Sequence, residues 1–253
     1  MIKILAIGNS FSEDATAYLY EIAKTEQVEL KVVNLYIGGC SLEMHWQNIN
    51  SGEAAYVYEL NGQHTDRKIS IKEALKEDNW DYVTLQQVSS ESGLIETYFP
   101  FLLDIHNYVS KYAPKASQLL HQTWAYELDS DHPAFTKYHC NQREMYDALK
   151  TTYQCISNQL SMDLIPCGDV IQTLRSYPTF DYTKGGMSLC RDGFHMSLVY
   201  GRYAVAATWY EYLLKKSIQN NTFLPPALGG ESLDPQVIQL IKDVVHSTAK
   251  YNC

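Results

Sequence analysis

The sequence predicts an α/β fold in which a parallel sheet carries helices on both faces. Apolar runs of strand length alternate with segments of helical period along most of the chain. The first run, Ile2 to Ile7, is continuous rather than alternating, as expected of a strand covered on both sides. At 253 residues, with no repeat and no linker rich in Pro, Gly or Ser, the chain fits one domain spanning residues 1–253.

Taken in order, Ile2–Ile7 is the first strand. Ala15, Leu19, Ile22 and Ala23 then fall on one helical face. Leu30 to Leu35 is the second strand, and residues 47–69 read as an irregular insertion after it. Ser70-Ile71-Lys72-Glu73 is a capping box that opens a short helix through Leu75. Trp80 to Gln86 is the third strand, followed by a helix carrying Leu102, Ile105 and Val109. Ser117 to His121 is the fourth strand. A long helix is expected from about Ala134 to Leu160, with Met145, Leu149, Tyr153 and Ile156 on one side, then a short fifth strand from Met162 to Pro166. A helix from about Ser197 to Lys215 comes next. The break Leu224-Pro225-Pro226-Ala227-Leu228-Gly229-Gly230 sets off residues 224–253 as a C-terminal extension. Its helix is capped by Asp234 with Pro235 at the first helical position.

The bulk numbers exclude several functions. Net charge is −9 and no basic run exceeds two residues, so a nucleic-acid surface is not expected. No run of 18 apolar residues exists, so no membrane span is expected. The N-terminus reads as a strand rather than a signal peptide, which predicts a cytoplasmic chain as written and an exported one if a leader has been removed. The six cysteines are widely spread without a C-x-x-C pair and read as reduced thiols packed as small apolar residues. Histidines without H-x-x-x-H spacing predict no metal site, and the absence of glycine-rich phosphate loops predicts no nucleotide cofactor. Oligomeric state is not legible. Twenty tyrosines and four tryptophans suit a groove for an amphipathic ligand such as a sugar.

Sites on open parallel sheets form at the carboxyl ends of the strands. There the chain places Gly8-Asn9-Ser10, then Gly38-Gly39-Cys40-Ser41, then Gln86-Gln87, then Gln122-Thr123-Trp124 and Tyr126. Ser10 at a strand-to-helix turn is either an N-cap or a nucleophile, and Ser12 is the rival cap. Asp192-Gly193-Phe194-His195 is either a surface turn capped by Asp192 or a base with its orienting carboxylate, the imidazole Nδ1–H turned back to the aspartate and Nε2 left for a serine. Gly39 is either a turn residue or a bare backbone donor. Gln86 and Gln87 alternate across a strand end, so only one can point to Ser10. His45, after the Gly-Gly loop, and His121, after a strand, are expected to border the site.

These stretches, read as "IGNSFSED", "YIGGCSLEMHW", "WDYVTLQQVSSESG", "HQTWAY" and "RDGFHMS", resemble the ordered blocks of the SGNH (GDSL-type) hydrolase superfamily and, more narrowly, a bacterial SGNH-like domain family, over residues 2 to 215. The resemblance implies a three-layer α/β/α sandwich with a five-stranded parallel, flavodoxin-like sheet and no cofactor. It implies Ser10 as nucleophile, Asp192 and His195 as its partners, and an oxyanion hole from Ser10 and Gly39. The block that usually carries G-x-N-D has no Asn here, and Gln87, with Gln86 as the alternative, takes the amide's place. Asn9, His45, Trp46, Trp124 and Tyr126 are the expected pocket residues. The activity implied is hydrolysis of a small ester through an acyl-enzyme, most simply a short acyl (acetyl) ester of a carbohydrate. The alternatives are a non-catalytic glycan-binding module and a lipid or thioester hydrolase.

Overall fold

A computed structural model of the chain describes residues 1–230 and 233–249. The elements are β1 (Ile2–Gly8), α1 (Ser10–Thr16), α2 (Leu19–Thr25), β2 (Leu30–Tyr36), α3 (Leu42–Ser51), β3 (Tyr56–Leu60), β4 (Gln63–Ile69), α4 (Ile71–Glu77), β5 (Tyr82–Leu85), α5 (Phe101–Tyr112), β6 (Ser117–His121), α6 (Gln142–Leu160), β7 (Asp163–Ile165), α7 (Cys167–Leu174), α8 (Tyr200–Leu214) and α9 (Pro235–Thr248). One sheet runs β4-β3-β2-β1-β5-β6-β7. The five strands from β2 to β7 are parallel, in the order of a flavodoxin-like sheet.

The sheet has seven strands, not five. The expected irregular insertion is ordered: its start completes α3, and β3 and β4 form an antiparallel hairpin on the outer edge of β2. β4 is almost wholly exposed and reads Gln-His-Thr-Asp-Arg-Lys-Ile, so it carries no apolar alternation to betray it. Its turn was legible. Asn61-Gly62 takes positive φ at both residues (52° and 77°), the signature of a tight two-residue hairpin.

The helices form layers on the two faces. In one layer α8 touches α1, α2, α7 and α9, and 13 of its 15 residues are buried, as a helix at the centre of a layer requires. α9 packs on α7 and α8, with Ile241 and Val245 fully buried, so the segment after the Pro-Pro-Gly break is part of this layer. In the other layer α3, α4 and α5 pack together, and Tyr153 of α6 meets Tyr98 edge-on at 6.0 Å. α6 begins at Gln142, eight residues later than expected. His139 and Cys140 take positive φ after a 3-10 turn (Pro133–Tyr138), and Asn141 caps the new helix by accepting from the Arg143 and Glu144 amides. The Ser70–Glu73 capping box forms as expected.

The thiols are free, but only Cys40, Cys167 and Cys190 are buried; Cys140 and Cys155 are exposed, contrary to the reading of all six as core residues, and Cys253 lies outside the described residues. No helix among the described residues is long and apolar enough to cross a membrane.

Candidate active site

β1 ends at the carboxyl edge of the sheet, and Gly8 makes the turn possible: a Cβ there would stand 2.3 Å from Ser12 Oγ. Asn9, not Ser12, is the N-cap of α1. Its Oδ1 accepts from Phe11 N at 3.0 Å, while Ser12 Oγ reaches back to accept from Asn9 N at 3.0 Å. Capping is thereby complete without Ser10, which is the first helical residue and keeps its hydroxyl for another partner.

That partner is His195, whose Nε2 lies 2.8 Å from Ser10 Oγ across 185 positions of sequence. His195 Nδ1 lies 2.7 Å from Asp192 Oδ2, so the carboxylate accepts the Nδ1–H and leaves Nε2 as the acceptor for the serine. The second carboxylate oxygen closes the turn: Asp192 Oδ1 accepts from His195 N at 2.8 Å and Phe194 N at 3.2 Å. Asp192 is therefore both turn cap and imidazole partner, one oxygen for each. Burial alone would raise its carboxyl, but the hydrogen bonds and charge of His195 hold it below the usual carboxylate range.

The spacing D-x-x-H occurs twice more, in Asp129-Ser130-Asp131-His132 and Asp243-Val244-Val245-His246. Neither pair meets: Asp129 accepts from the Tyr182 hydroxyl and His132 Nδ1 accepts from Ala134 N, while Asp243 accepts from Gln239 Nε2 and His246 Nδ1 pairs with Glu211 Oε1.

The 192–195 loop is pinned from inside by Asp14, fully buried one helical turn after Ser10. Asp14 accepts from Arg191 (2.9 Å), from Met196 N (2.8 Å) and from Arg202 Nε (2.7 Å). Burial pushes its carboxyl up, opposed by the two arginines. One side chain on α1 thus ties down both ends of the loop that presents His195.

The Gly38-Gly39 loop closes the opposite side. Gly39 has φ +66°, and its amide donates no hydrogen bond among the described residues. Asn9 Nδ2 donates to Cys40 O at 3.0 Å and so ties this loop to the serine turn.

The two glutamines behave differently from the expectation. Gln87 points away from Ser10: its Nε2 donates to Thr97 O and Oγ1, and its Oε1 accepts from Leu42 N and Val88 N. Gln86 faces the serine turn, but its Nε2 donates to Asn9 Oδ1 at 2.8 Å and its Oε1 accepts from His121 Nδ1 at 2.7 Å. Gln86 therefore orients Asn9. Neither side-chain amide is an oxyanion donor in this arrangement.

Ser10 and His195 open into a cavity of about 290 Å3, lined also by Asn9, Phe11, Tyr36, Gly38, Gly39, Val88, Ser89, Ser90, His132 and Phe194. Of the expected pocket residues only Asn9 is there. Trp124 stacks beneath Phe11 at 4.2 Å and donates to Phe194 O, so it supports the wall from behind. Tyr126 is fully buried and contacts Ser89 Oγ at 2.9 Å. His45 is buried against Tyr56 and Cys40, and Trp46 packs on the core away from the cavity. His121 is buried beneath Gln86. Burial brings His45 and His121 down to about 3, so both are neutral.

The residues missed as walls include Phe194, His132, Tyr36 and Val88, with Phe11, Ser89 and Ser90 beside them. Phe194 sits inside the D-x-x-H string and lies tilted against His195, ring centres 4.1 Å apart, so its place beside the histidine was available from the sequence. His132 reaches the cavity from a loop with no strand to locate it. Burial and the charge of His195 lower its basicity.

Comparison with known proteins follows the same lines. A search of curated proteins finds no match. A DUF4886 family protein from Bacteroides uniformis ATCC 8492 superposes with a TM-score of 0.89 at 35% identity, over 97% of this chain and 93% of that one. A Slackia heliotrinireducens protein assigned to the SGNH hydrolases matches at TM-score 0.55 and 18% identity, over 84% of this chain and 98% of its own. The acetyl xylan esterase AlAXEase matches at 0.53 and 14%, over 82% and 98%. The latter two likenesses are of fold. The family described as "Domain of unknown function (DUF4886)" matches residues 3–245. On that match and on the Bacteroides structure, this chain, with a sheet and helices arranged as in the SGNH hydrolases, belongs to the DUF4886 family.

Proposed function

We propose that the protein is a serine ester hydrolase that acts through an acyl-enzyme on a small ester. The observation that carries this is the unbroken relay from Asp192 through His195 to the hydroxyl of Ser10, with contacts of 2.7 and 2.8 Å. In this reading His195 Nε2 takes the Ser10 proton as Oγ attacks the ester carbonyl, and Asp192 stabilises the imidazolium that results. The proton then passes to the leaving alcohol, and a water attacks the acyl-enzyme by the same route in reverse roles. The oxyanion is held by two backbone amides, of Ser10 and Gly39, rather than by two amides and a side chain. Each donor of this kind is worth about 10²–10³ in rate.

The substrate follows from the cavity. About 290 Å3 edged by Phe194, Tyr36 and Val88 suits a short acyl group, and the aromatic rim suits a sugar alcohol. The fold likeness to an acetyl xylan esterase supports an acetylated carbohydrate. The test is release of acetate from O-acetylated sugars, together with turnover of p-nitrophenyl acetate against the octanoate. Preference for the acetyl ester, abolished in Ser10→Ala, is expected. Preference for the octanoate would replace the sugar ester by a lipid or thioester.

One observation favours a second reading, a glycan-binding module without turnover: the amides of Gln86 and Gln87 are both engaged elsewhere, leaving the oxyanion with fewer donors. Binding of acetylated oligosaccharide with no acetate released would select that reading.

A further inference from the structure

Beside the serine turn, and apart from the proposed reaction, three side chains from separate elements converge. Glu59 on β3 and His64 on β4 are cross-strand partners in the hairpin, and Glu13 comes from α1. His64 Nε2 lies 3.1 Å from Glu13 Oε1 and 2.9 Å from Glu59 Oε1, and the three ligand atoms all lie within 4.8 Å of one another.

A single proton does not serve this cluster. The Nε2–H of His64 makes its hydrogen bond to Glu13. Glu59 is only 2% exposed, and its Oε1, aimed into the cluster, accepts no hydrogen bond among the described residues. A buried carboxylate oxygen without a hydrogen bond is costly, and the 2.9 Å approach of His64 Nε2 offsets this only when the imidazole is charged. Its other oxygen is held: Asn34 Nδ2 donates to Glu59 Oε2 at 2.7 Å, which fixes the carboxylate with Oε1 pointing at His64 and Glu13. This is the outer-shell support typical of a metal-binding carboxylate.

We propose that Glu13, Glu59 and His64 form a binding site for a divalent transition-metal ion of the zinc type. Zinc–oxygen and zinc–nitrogen bonds of about 2.0–2.2 Å place tetrahedral ligand atoms about 3.3 Å apart, close to the two His64–carboxylate separations of 3.1 and 2.9 Å. Two carboxylates and a neutral imidazole balance a doubly charged ion. Arg202, 3.8 Å from Glu13 Oε1, is the nearby cation, and its charge is met by Asp14 at 2.7 Å. His64 is half exposed and gives the ion a path from solvent, while the fourth direction, not filled by protein, remains for water. The ion would clamp the edge hairpin to α1 and so brace the helix that begins at Ser10. It would take no part in the acyl chemistry, and the site stands whether or not the chain is an esterase.

The test is metal content by mass spectrometry of elements. Chain stripped with chelator is equilibrated with Zn2+ and dialysed, in parallel with His64→Ala and Glu59→Gln. Wild type should keep one equivalent more than either variant, and Zn2+ should raise its melting temperature but not theirs. Asn34→Ala should weaken binding about 10–100-fold while retaining the three ligands. Equal zinc in wild type and both variants, or none in wild type, overturns the proposal. His64 is exposed enough that its replacement leaves the fold intact, so loss of zinc in that variant cannot be assigned to unfolding; circular dichroism in chelator verifies this.

Discussion

The hydroxyl of Ser10 meets His195 because a neighbour does the capping. Asn9 satisfies the first amides of α1, and Ser12 satisfies Asn9 in return, so the serine between them has no structural duty. The orienting role proposed for Asp192 is testable on its own. Asp192→Asn keeps the shape of the turn, but its side-chain amide donates to Nδ1 of His195 and leaves the imidazole proton on Nε2, where it blocks acceptance from Ser10. Turnover should fall about 10⁴-fold with little change in KM, measured on p-nitrophenyl acetate. Gly8 answers to sterics alone. A methyl group there meets Ser12 Oγ at 2.3 Å and Gln86 Cδ at 3.2 Å, so Gly8→Ala should lower stability by about 1–3 kcal/mol in urea unfolding.

At the scale of elements, the site is a meeting of four strand ends held by polar side chains that do not react. Asp14 joins α1 to the His195 loop and to α8, through Arg191, Met196 and Arg202. Asp14→Ala leaves these partners without their buried counter-charge and should cost about 3 kcal/mol, together with most of the activity. The glutamines separate in the same assay. Gln86→Ala releases Asn9 and should depress turnover, whereas Gln87→Ala removes the brace between Leu42 and Thr97 and should lower the melting temperature with turnover largely kept. Equal effects of the two on turnover would refute the division. This distinction is also where the sequence stopped being informative. Alternation along β5 says that only one glutamine can face Ser10, but which one depends on the twist and register of the strand end, set by pairing with β1 and β6. The five parallel strands, the serine turn and the D-x-x-H turn were readable because each rests on local pattern, whereas the order of the strands came from the family resemblance and lacked the edge hairpin. Trp46, Trp124 and Tyr126 were misread as walls because their large apolar areas are claimed by the core, and a wall residue has no local mark.

For the whole molecule, the edge hairpin is the least legible part and the one with a distinct acid–base signature. Burial pushes the Glu59 carboxyl up to about 7 from an ordinary value of 4.5. A carboxyl raised in the folded state holds its proton more tightly than in the unfolded chain. Metal-free protein should therefore lose stability as pH rises from about 4.5 to about 7, and Glu59→Gln should flatten that limb, as followed by melting temperature against pH. Such a limb was beyond the reach of sequence, since Glu59, His64 and Glu13 become neighbours only when β4, a polar strand, is folded back beside β3.

The central claim is that the Ser10 oxygen is an activated nucleophile. It is tested most directly by treating the chain with a fluorophosphonate and mapping the adduct by peptide mass spectrometry. The account predicts one adduct, on the peptide that carries Ser10, absent in Ser10→Ala and suppressed in His195→Ala. A wild-type chain that takes no adduct, or an adduct and ester turnover that persist in Ser10→Ala, would contradict it.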